Sequence, residues 1–123
     1  MIQRLWYKLQ DGKRAIRYAY QRVTRGYDNT WWWGLCDTMP DTMVKVLTEF
    51  RTRHMGYPMG MTMKTWDATL EKMIEGWKAA QRMKSDEYFW LSPEEHKAKW
   101  DADKKVFEAG MKVFTKYFFN LWD

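Results

Sequence analysis

Arginine and aromatic side chains whose chemistry suits a nucleotide lie close together around residues 25–33. Arg25 and Tyr27 come just before the run Trp31-Trp32-Trp33. Guanidinium groups pair with phosphate and aromatic rings stack on bases, so this combination is typical of a site for an anionic ligand with planar rings. The predicted ligand-binding residues are Arg14, Arg17, Arg25, Tyr27, Trp31 and Trp32. The alternative is structural: two of the tryptophans pack in the core and the third covers a loop.

The positive charge of the chain is concentrated at its beginning. The net charge is +5, and residues 1–28 account for all of it, with seven Lys or Arg against two Asp. A local excess of this kind attracts anions within about 8–10 Å at physiological salt. We interpret the segment either as an anion-binding face or as the solvated outer face of a helix.

Residues with catalytic or metal-binding chemistry are sparse. Cys36 is the only thiol, and nothing in the sequence links it to His54 or His96 as a base. Neither histidine has a glutamate three residues before it, as carboxylate metal sites in helical bundles do, and there is no glycine-rich phosphate loop. The sequence therefore predicts a protein that is not an enzyme, with no catalytic residue, no metal site and no cofactor. A single cysteine also excludes an internal disulfide and indicates a reducing compartment.

Two later segments hold more aromatic residues than one helix face can bury. The first is Tyr88-Phe89-Trp90, in a mixed stretch that is predicted to be a loop, and the second is the C-terminal end around Tyr117 and Trp122. Surplus aromatic side chains are enriched in protein–protein interfaces. The predicted partner-interface residues are Tyr88, Phe89, Trp90, Tyr117 and Trp122.

The elements that hold these residues are predicted to be helices. Apolar side chains recur at spacings of three, four and seven residues, and no stretch alternates apolar and polar residues as a strand does. The predicted helices span residues 2–25, from a cap at Asp37 or Thr38 to about 54, 63–83, and 93 to about 120. Gly12 interrupts the first stripe and predicts a bend, and Gly26 ends that helix. Residues 27–37 are predicted to be a connection. The fold expected is an all-α, single-domain bundle of four main helices over residues 1–123.

The core of this bundle is expected to be rich in aromatic residues and methionine, since Val, Ile and Leu are sparse while the chain has nine Trp and ten Met. Four tryptophans fit the helical stripes and are assigned to the core: Trp6, Trp66, Trp77 and Trp100. The first helix contributes a predicted core stripe of Ile2, Leu5, Trp6, Leu9, Ile16, Tyr20 and Val23.

A recurring pattern of residues resembles a group of small proteins encoded by tailed bacteriophages. It covers most of residues 20–83 and the C-terminal end, and the group has one tryptophan where this chain has three. The residues that carry it are Arg25-Gly26-Tyr27-Asp28, Trp33, Asp37, His54 to Pro58, Gly60, Thr62, Trp66, Asp67, Glu71, Met73, Ile74 and Tyr117 to Asp123. The resemblance implies an all-helical accessory protein in the cytoplasm of an infected bacterial host. It carries over no functional residue.

Two functions are consistent with these observations. The first is a non-enzymatic phage accessory protein that acts by binding a nucleotide signal, a nucleic acid or a host protein, and so counters host defence. The second is a protein-docking or virion assembly module that oligomerises through its surplus aromatic residues. No apolar run is as long as the roughly 18 residues of a membrane span, so no membrane partner is expected.

Overall fold

A computed structural model describes residues 1–122 of the chain as helices joined by short connections. Five α-helices follow one another: α1 (Ile2–Arg25), α2 (Asn29–Trp33), α3 (Leu35–Arg53), α4 (Met63–Met83) and α5 (Pro93–Lys116). Short 3₁₀ helices cover Asp86–Tyr88 and Phe118–Asn120. The part described contains no strand, and the predicted all-α class with four main helices is confirmed. Asp123, the last residue of the phage-like pattern, lies outside the described residues.

The chain divides into two compact units, one of residues 1–38 and one from residue 39 onward. In the first unit, α1 runs through Gly12 without interruption, so the glycine does not break the helix. Gly26 ends α1 in the left-handed conformation, with φ of 85°, and its N–H donates to the carbonyl of Arg22. Glycine takes this conformation without steric cost, which is why it is common just past the last helical residue.

The prediction of a core stripe on α1 is wrong. No residue of α1 is buried, and its apolar side chains are exposed, including Trp6 at 58%. The period of the sequence correctly places these side chains on one side of the helix. Periodicity reports which residues share a face and not what covers that face.

The predicted connection over residues 27–37 is largely helical, which is a second correction. Asp28 caps α2, because its side chain accepts a hydrogen bond from the backbone N–H of Thr30 at 2.9 Å. After Gly34 the chain enters α3 at Leu35, earlier than the predicted cap at Asp37 or Thr38. Pro40 lies inside the helix and is buried. It is the sixth residue of α3 and lies beyond the first turn, so it cannot donate the usual backbone hydrogen bond to the carbonyl of Cys36.

The two long helices of the second unit begin at caps that the sequence predicts. Thr62 caps α4 with a reciprocal bond to Thr65, and Ser92 caps α5 with the same arrangement to Glu95. Pro93 takes the first helical position of α5. The helix ends at Lys116, four residues before the predicted end, and a 3₁₀ turn follows.

The core of the second unit is formed by α3, α4 and α5 and contains the predicted mixture of aromatic residues and methionine. Trp66 and Trp77 are buried in it as expected, whereas Trp100 is exposed. The assignment of Trp100 to the core is therefore wrong; it stacks on His96 at 6.0 Å. The buried cluster consists of Leu47, Trp66, Leu70, Met73, Ile74, Trp77 and Phe114, with Met39, Met43, Met61 and Met111 among the partly buried residues around it.

Helices α4 and α5 meet at Gly76 and Gly110. A Cβ atom built on Gly76 would lie 2.7 Å from the Cα of Gly110, and one built on Gly110 would lie 2.5 Å from the Cα of Gly76. The two backbones are therefore in direct contact. This contact requires glycine at both positions.

A buried polar network links the end of α4 to α5. Asp103 is 8% exposed and accepts hydrogen bonds from the hydroxyl of Tyr88 and, at 3.0 Å, from Nε of Arg82. Burial and the bond to Asp103 raise the pKa of the Tyr88 phenol well above its usual value. The network satisfies a carboxylate that would otherwise be buried without a partner.

Candidate functional site

The turn between α1 and α2 is held by a set of hydrogen bonds around Asp28. Asp28 is buried, and its carboxylate accepts from Nη1 of Arg22 at 2.7 Å and from the amide of Thr30. One residue on, the backbone N–H of Asn29 donates to the side-chain oxygen of Gln21 at 2.9 Å. The start of α2 is therefore tied to the last two turns of α1.

The pKa of Asp28 lies below its usual value because the Thr30 side chain and then Arg22 donate hydrogen bonds to the charged form. A lowered folded-state pKa means that the folded form binds the proton less readily than the unfolded chain. The stabilisation is thus complete above about pH 4, the value for an unfolded aspartate, and is lost as pH falls through the folded-state pKa.

We expect acid to loosen this turn. Amide exchange at Thr30 should be slow and constant above about pH 5, after correction for intrinsic exchange, and its protection should fall on further acidification. Hydrogen exchange followed by NMR measures this. The control is Asp28→Asn, which keeps an oxygen acceptor for the cap but cannot titrate, so its protection should not change with pH. Equal acid sensitivity of the two proteins would contradict the assignment.

Three exposed residues and the half-buried Asn29 form a group beside this turn, which we call the turn cluster: Arg25, Tyr27, Asn29 and Trp32. The guanidinium of Arg25 lies 4.6 Å from the centre of the Tyr27 ring and donates from Nε to the Tyr27 carbonyl at 3.1 Å. Its Nη2 donates to Oδ1 of Asn29, and the same oxygen accepts from the indole N–H of Trp32 at 3.1 Å. Asn29 thus connects the cation to the indole.

The turn cluster presents a fixed cation and two aromatic rings to solvent. Trp32 is 69% exposed, and Tyr27 and Arg25 are also exposed. Cation–π and hydrogen-bond contacts reduce the number of conformations that the Arg25 side chain samples, so less entropy is lost when it binds an anion. The arrangement suits an anionic ligand with stacked rings, which is the chemistry predicted from the sequence.

The structure brings together only part of the predicted ligand-binding set. Arg14 and Arg17 are exposed on α1, and the helical rise puts Arg14 about 16 Å from Arg25 along the axis. The 11-residue spacing places Arg14 and Arg25 on the same side of the helix, while Arg17 is turned about 80° away from Arg25. Trp31 is half-buried.

Sequence reasoning did not identify two residues of this region. Asn29 was assigned only a role in the turn, yet it lies three residues before Trp32 in α2, which is the spacing of helical neighbours, and the turn brings it to Arg25. Trp33 is exposed, so two of the three consecutive tryptophans face solvent and none is buried. The structural alternative, with two tryptophans in the core, is therefore wrong.

The predicted partner interface is divided by the structure. Tyr88 is only 7% exposed and its hydroxyl is bound to Asp103, so its assignment to a surface interface is wrong. Tyr117 is half-buried against Trp66, with ring centres 5.8 Å apart. The side chains that remain available at the surface are Phe89, Trp90 and Trp122.

His54 has a structural environment. The ring is buried, stacks on Phe50, and has Nδ1 2.9 Å from the carbonyl of Gly56 and Nε2 2.8 Å from Oδ1 of Asp67. Both partners are oxygen atoms that accept hydrogen bonds. These bonds join the end of α3, the loop after it and α4. No group of three or more His, Cys, Asp or Glu within residues 1–122 is arranged to hold a metal ion.

Comparison with known protein families, with curated protein sequences and with solved structures finds no match to this chain. Among residues 1–122 there is also no helix with the length and apolar character needed to cross a bilayer. The exposed side chains and their geometry are therefore the basis for assigning a function.

Proposed function

We propose that this chain is a non-enzymatic nucleic-acid-binding protein that acts through its first unit. The observation that carries the proposal is the turn cluster, in which Arg25, Tyr27 and Trp32 are exposed side by side. Tyr27 and Trp32 stack on bases, and Arg25 pairs with a backbone phosphate. Arg14, on the same side of α1, pairs with a phosphate further along the nucleic-acid strand.

A nucleic acid is favoured over a single nucleotide by the shape and extent of the surface. Sites for small ligands are concave and enclose most of the ligand, whereas Trp32 projects into solvent. A mononucleotide bound at Arg25 does not reach Arg14 about 16 Å away, while a strand of a few nucleotides does. The concentration of positive charge in residues 1–28 also favours a polyanion.

The resemblance to phage proteins supports a biological setting for this activity. On the proposal, the nucleic acid is encountered in the cytoplasm of the infected bacterial host, and its capture counters a host defence.

The exposed aromatic surface at Phe89 and Trp90 supports a second role, since these two rings are in edge contact at 5.0 Å and Trp90 is 87% exposed. That role is docking to a protein or to a second copy of the chain.

Replacing Arg25 and Trp32 together by alanine is expected to weaken binding of a fluorescent single-stranded DNA by at least about tenfold. Loss of one stacked base alone costs about 1–3 kcal/mol, and each 1.4 kcal/mol is a factor of ten in affinity. Fluorescence anisotropy at several salt concentrations measures both the affinity and its salt dependence.

The matched control is the double variant Arg53→Ala with Trp90→Ala, which removes one exposed arginine and one exposed tryptophan from the second unit. Its DNA affinity should stay within about twofold of the wild type. Equal losses in the two double variants, or wild-type binding that does not weaken with salt, would reject the proposal. Light scattering tests the second role, and a mass that stays monomeric in the presence of cell extract counts against it.

A further inference from the structure

Helix α1 carries an exposed apolar face along its whole length. Ile2, Leu9, Ile16 and Val23 recur every seven residues, and Leu5, Trp6 and Tyr20 lie beside them on the same side. All seven side chains are exposed, and the face extends over about 32 Å of helix. Met1, Ile2, Leu5, Trp6 and Leu9 line a shallow apolar groove at its start. An exposed apolar surface of this extent is typical of a site that binds a protein, a membrane or a ligand.

The remaining sides of α1 are strongly basic. The helix contains a single acidic residue, Asp11, and its cations are Arg4, Lys8, Lys13, Arg14, Arg17, Arg22 and Arg25. Arg22 is paired with Asp28 at the turn, and the other cations except Lys13 are distributed around the polar sides. A second copy of α1 would bring like charges together, so charge complementarity favours an anionic surface over self-association.

We propose that α1 lies on the surface of an anionic lipid bilayer, with its apolar face among the acyl chains and its cations at the headgroup phosphates. A helix with Trp and Leu on one face and Lys and Arg on the other is the type that binds in the plane of a membrane interface. Each cation near such a surface adds to the attraction. This inference concerns the opposite side of α1 from the proposed nucleic-acid site.

Lys13 distinguishes a lipid surface from a packed partner helix. Lys13 lies three residues before Ile16 and seven before Tyr20, so it belongs to the apolar side of α1. A partner helix would bury its ammonium group, whereas at a bilayer the four-carbon stem reaches outward to the phosphates.

The exposed indoles of the first unit support the same partner. Trp6 lies at the edge of the apolar face, and Trp33 is exposed beyond the end of α1. Tryptophan and tyrosine are enriched at the level of lipid headgroups, because one end of the ring is apolar and the other is polar. A helix that lies in the interface plane does not need the length of a membrane span.

Flotation of the full-length protein with lipid vesicles tests the proposal. Wild-type protein should float with vesicles of phosphatidylglycerol and phosphatidylcholine, and at least about tenfold less with phosphatidylcholine alone. The double variant Leu9→Glu with Ile16→Glu should lose at least about tenfold of its partitioning, because two apolar side chains no longer enter the bilayer.

The matched control is Gln3→Glu with Ala15→Glu, which makes the same change in charge on the polar sides of α1. Its partitioning should fall several times less than that of the apolar-face variant. Equal losses in the two variants, or no flotation of the wild type with anionic vesicles, would overturn the proposal. A wild-type dimer that Leu9→Glu with Ile16→Glu converts to monomer without lipid would also overturn it. DNA binding should weaken no more in the apolar-face variant than in this control, which separates this result from the proposed function.

Discussion

Gly76→Ala is expected to destabilise the second unit by about 2–3 kcal/mol, although alanine is the better helix former. The added methyl group would lie 2.7 Å from the Cα of Gly110, well inside van der Waals contact. A side chain in that place could rotate away, but backbone cannot, so α4 and α5 must move apart. That movement loosens the packing of Trp77 on Phe107 and Phe114, whose ring centres lie within 6.0 Å.

Gly12→Ala is the matched control for this prediction. A Cβ atom on Gly12 meets nothing within 4 Å, so only the difference in helix propensity remains. We expect this variant to gain about 0.5–1 kcal/mol of local helix stability. Urea unfolding followed by far-UV circular dichroism and by tryptophan fluorescence compares the two. A Gly76→Ala protein as stable as the wild type would show that α4 and α5 are not in backbone contact.

Asp103→Ala is expected to have the second large effect, a loss of about 2–4 kcal/mol from the free energy of unfolding. The carboxylate accepts from both the Tyr88 hydroxyl and Arg82. Its removal leaves the buried hydroxyl without an acceptor and the guanidinium without its counter-ion, so the desolvation cost of these groups is no longer offset. Tyr88→Phe removes only one hydrogen bond and should cost about 1 kcal/mol.

Alkaline titration provides a readout that is specific to this network. The raised pKa of Tyr88 in the wild type should keep its phenol protonated at a pH where exposed tyrosines ionise. The control is Asp101→Ala, which removes an exposed carboxylate two residues earlier on α5 and should change stability by less than about 0.5 kcal/mol. Similar unfolding free energies for Asp101→Ala and Asp103→Ala would rule out the role assigned to the network.

The helices were predictable because their signals are local. Ser92, Pro93 and Glu95 mark the start of α5 within four residues, and the buried side of α4 follows a regular period. Exposure of at least one of the three consecutive tryptophans was also predictable, since consecutive helical residues cannot all face one core. Asn29 was missed because its role depends on how the turn places its side chain.

The features that the sequence did not reveal depend on partners that are distant along the chain. Tyr88 has the surroundings of a surface loop, but its hydroxyl meets Asp103, 15 residues later. The contact of Gly76 with Gly110 joins two helices at positions that no local pattern pairs. For α1, the period of its apolar residues was correct but the burial inferred from it was not, because an apolar face is compatible with a core and with an external partner.

Sliding of α4 along α5 is blocked where Gly76 meets Gly110. A shift of one helical turn, about 5.4 Å, would bring a residue with a side chain against the opposing backbone, so the two helices have one axial position relative to each other. Small shear movements between packed helices are a common way for a protein to change shape. In the second unit this route is closed between α4 and α5. The contact places no such restriction on α3 or on the connections over residues 54–62 and 84–92.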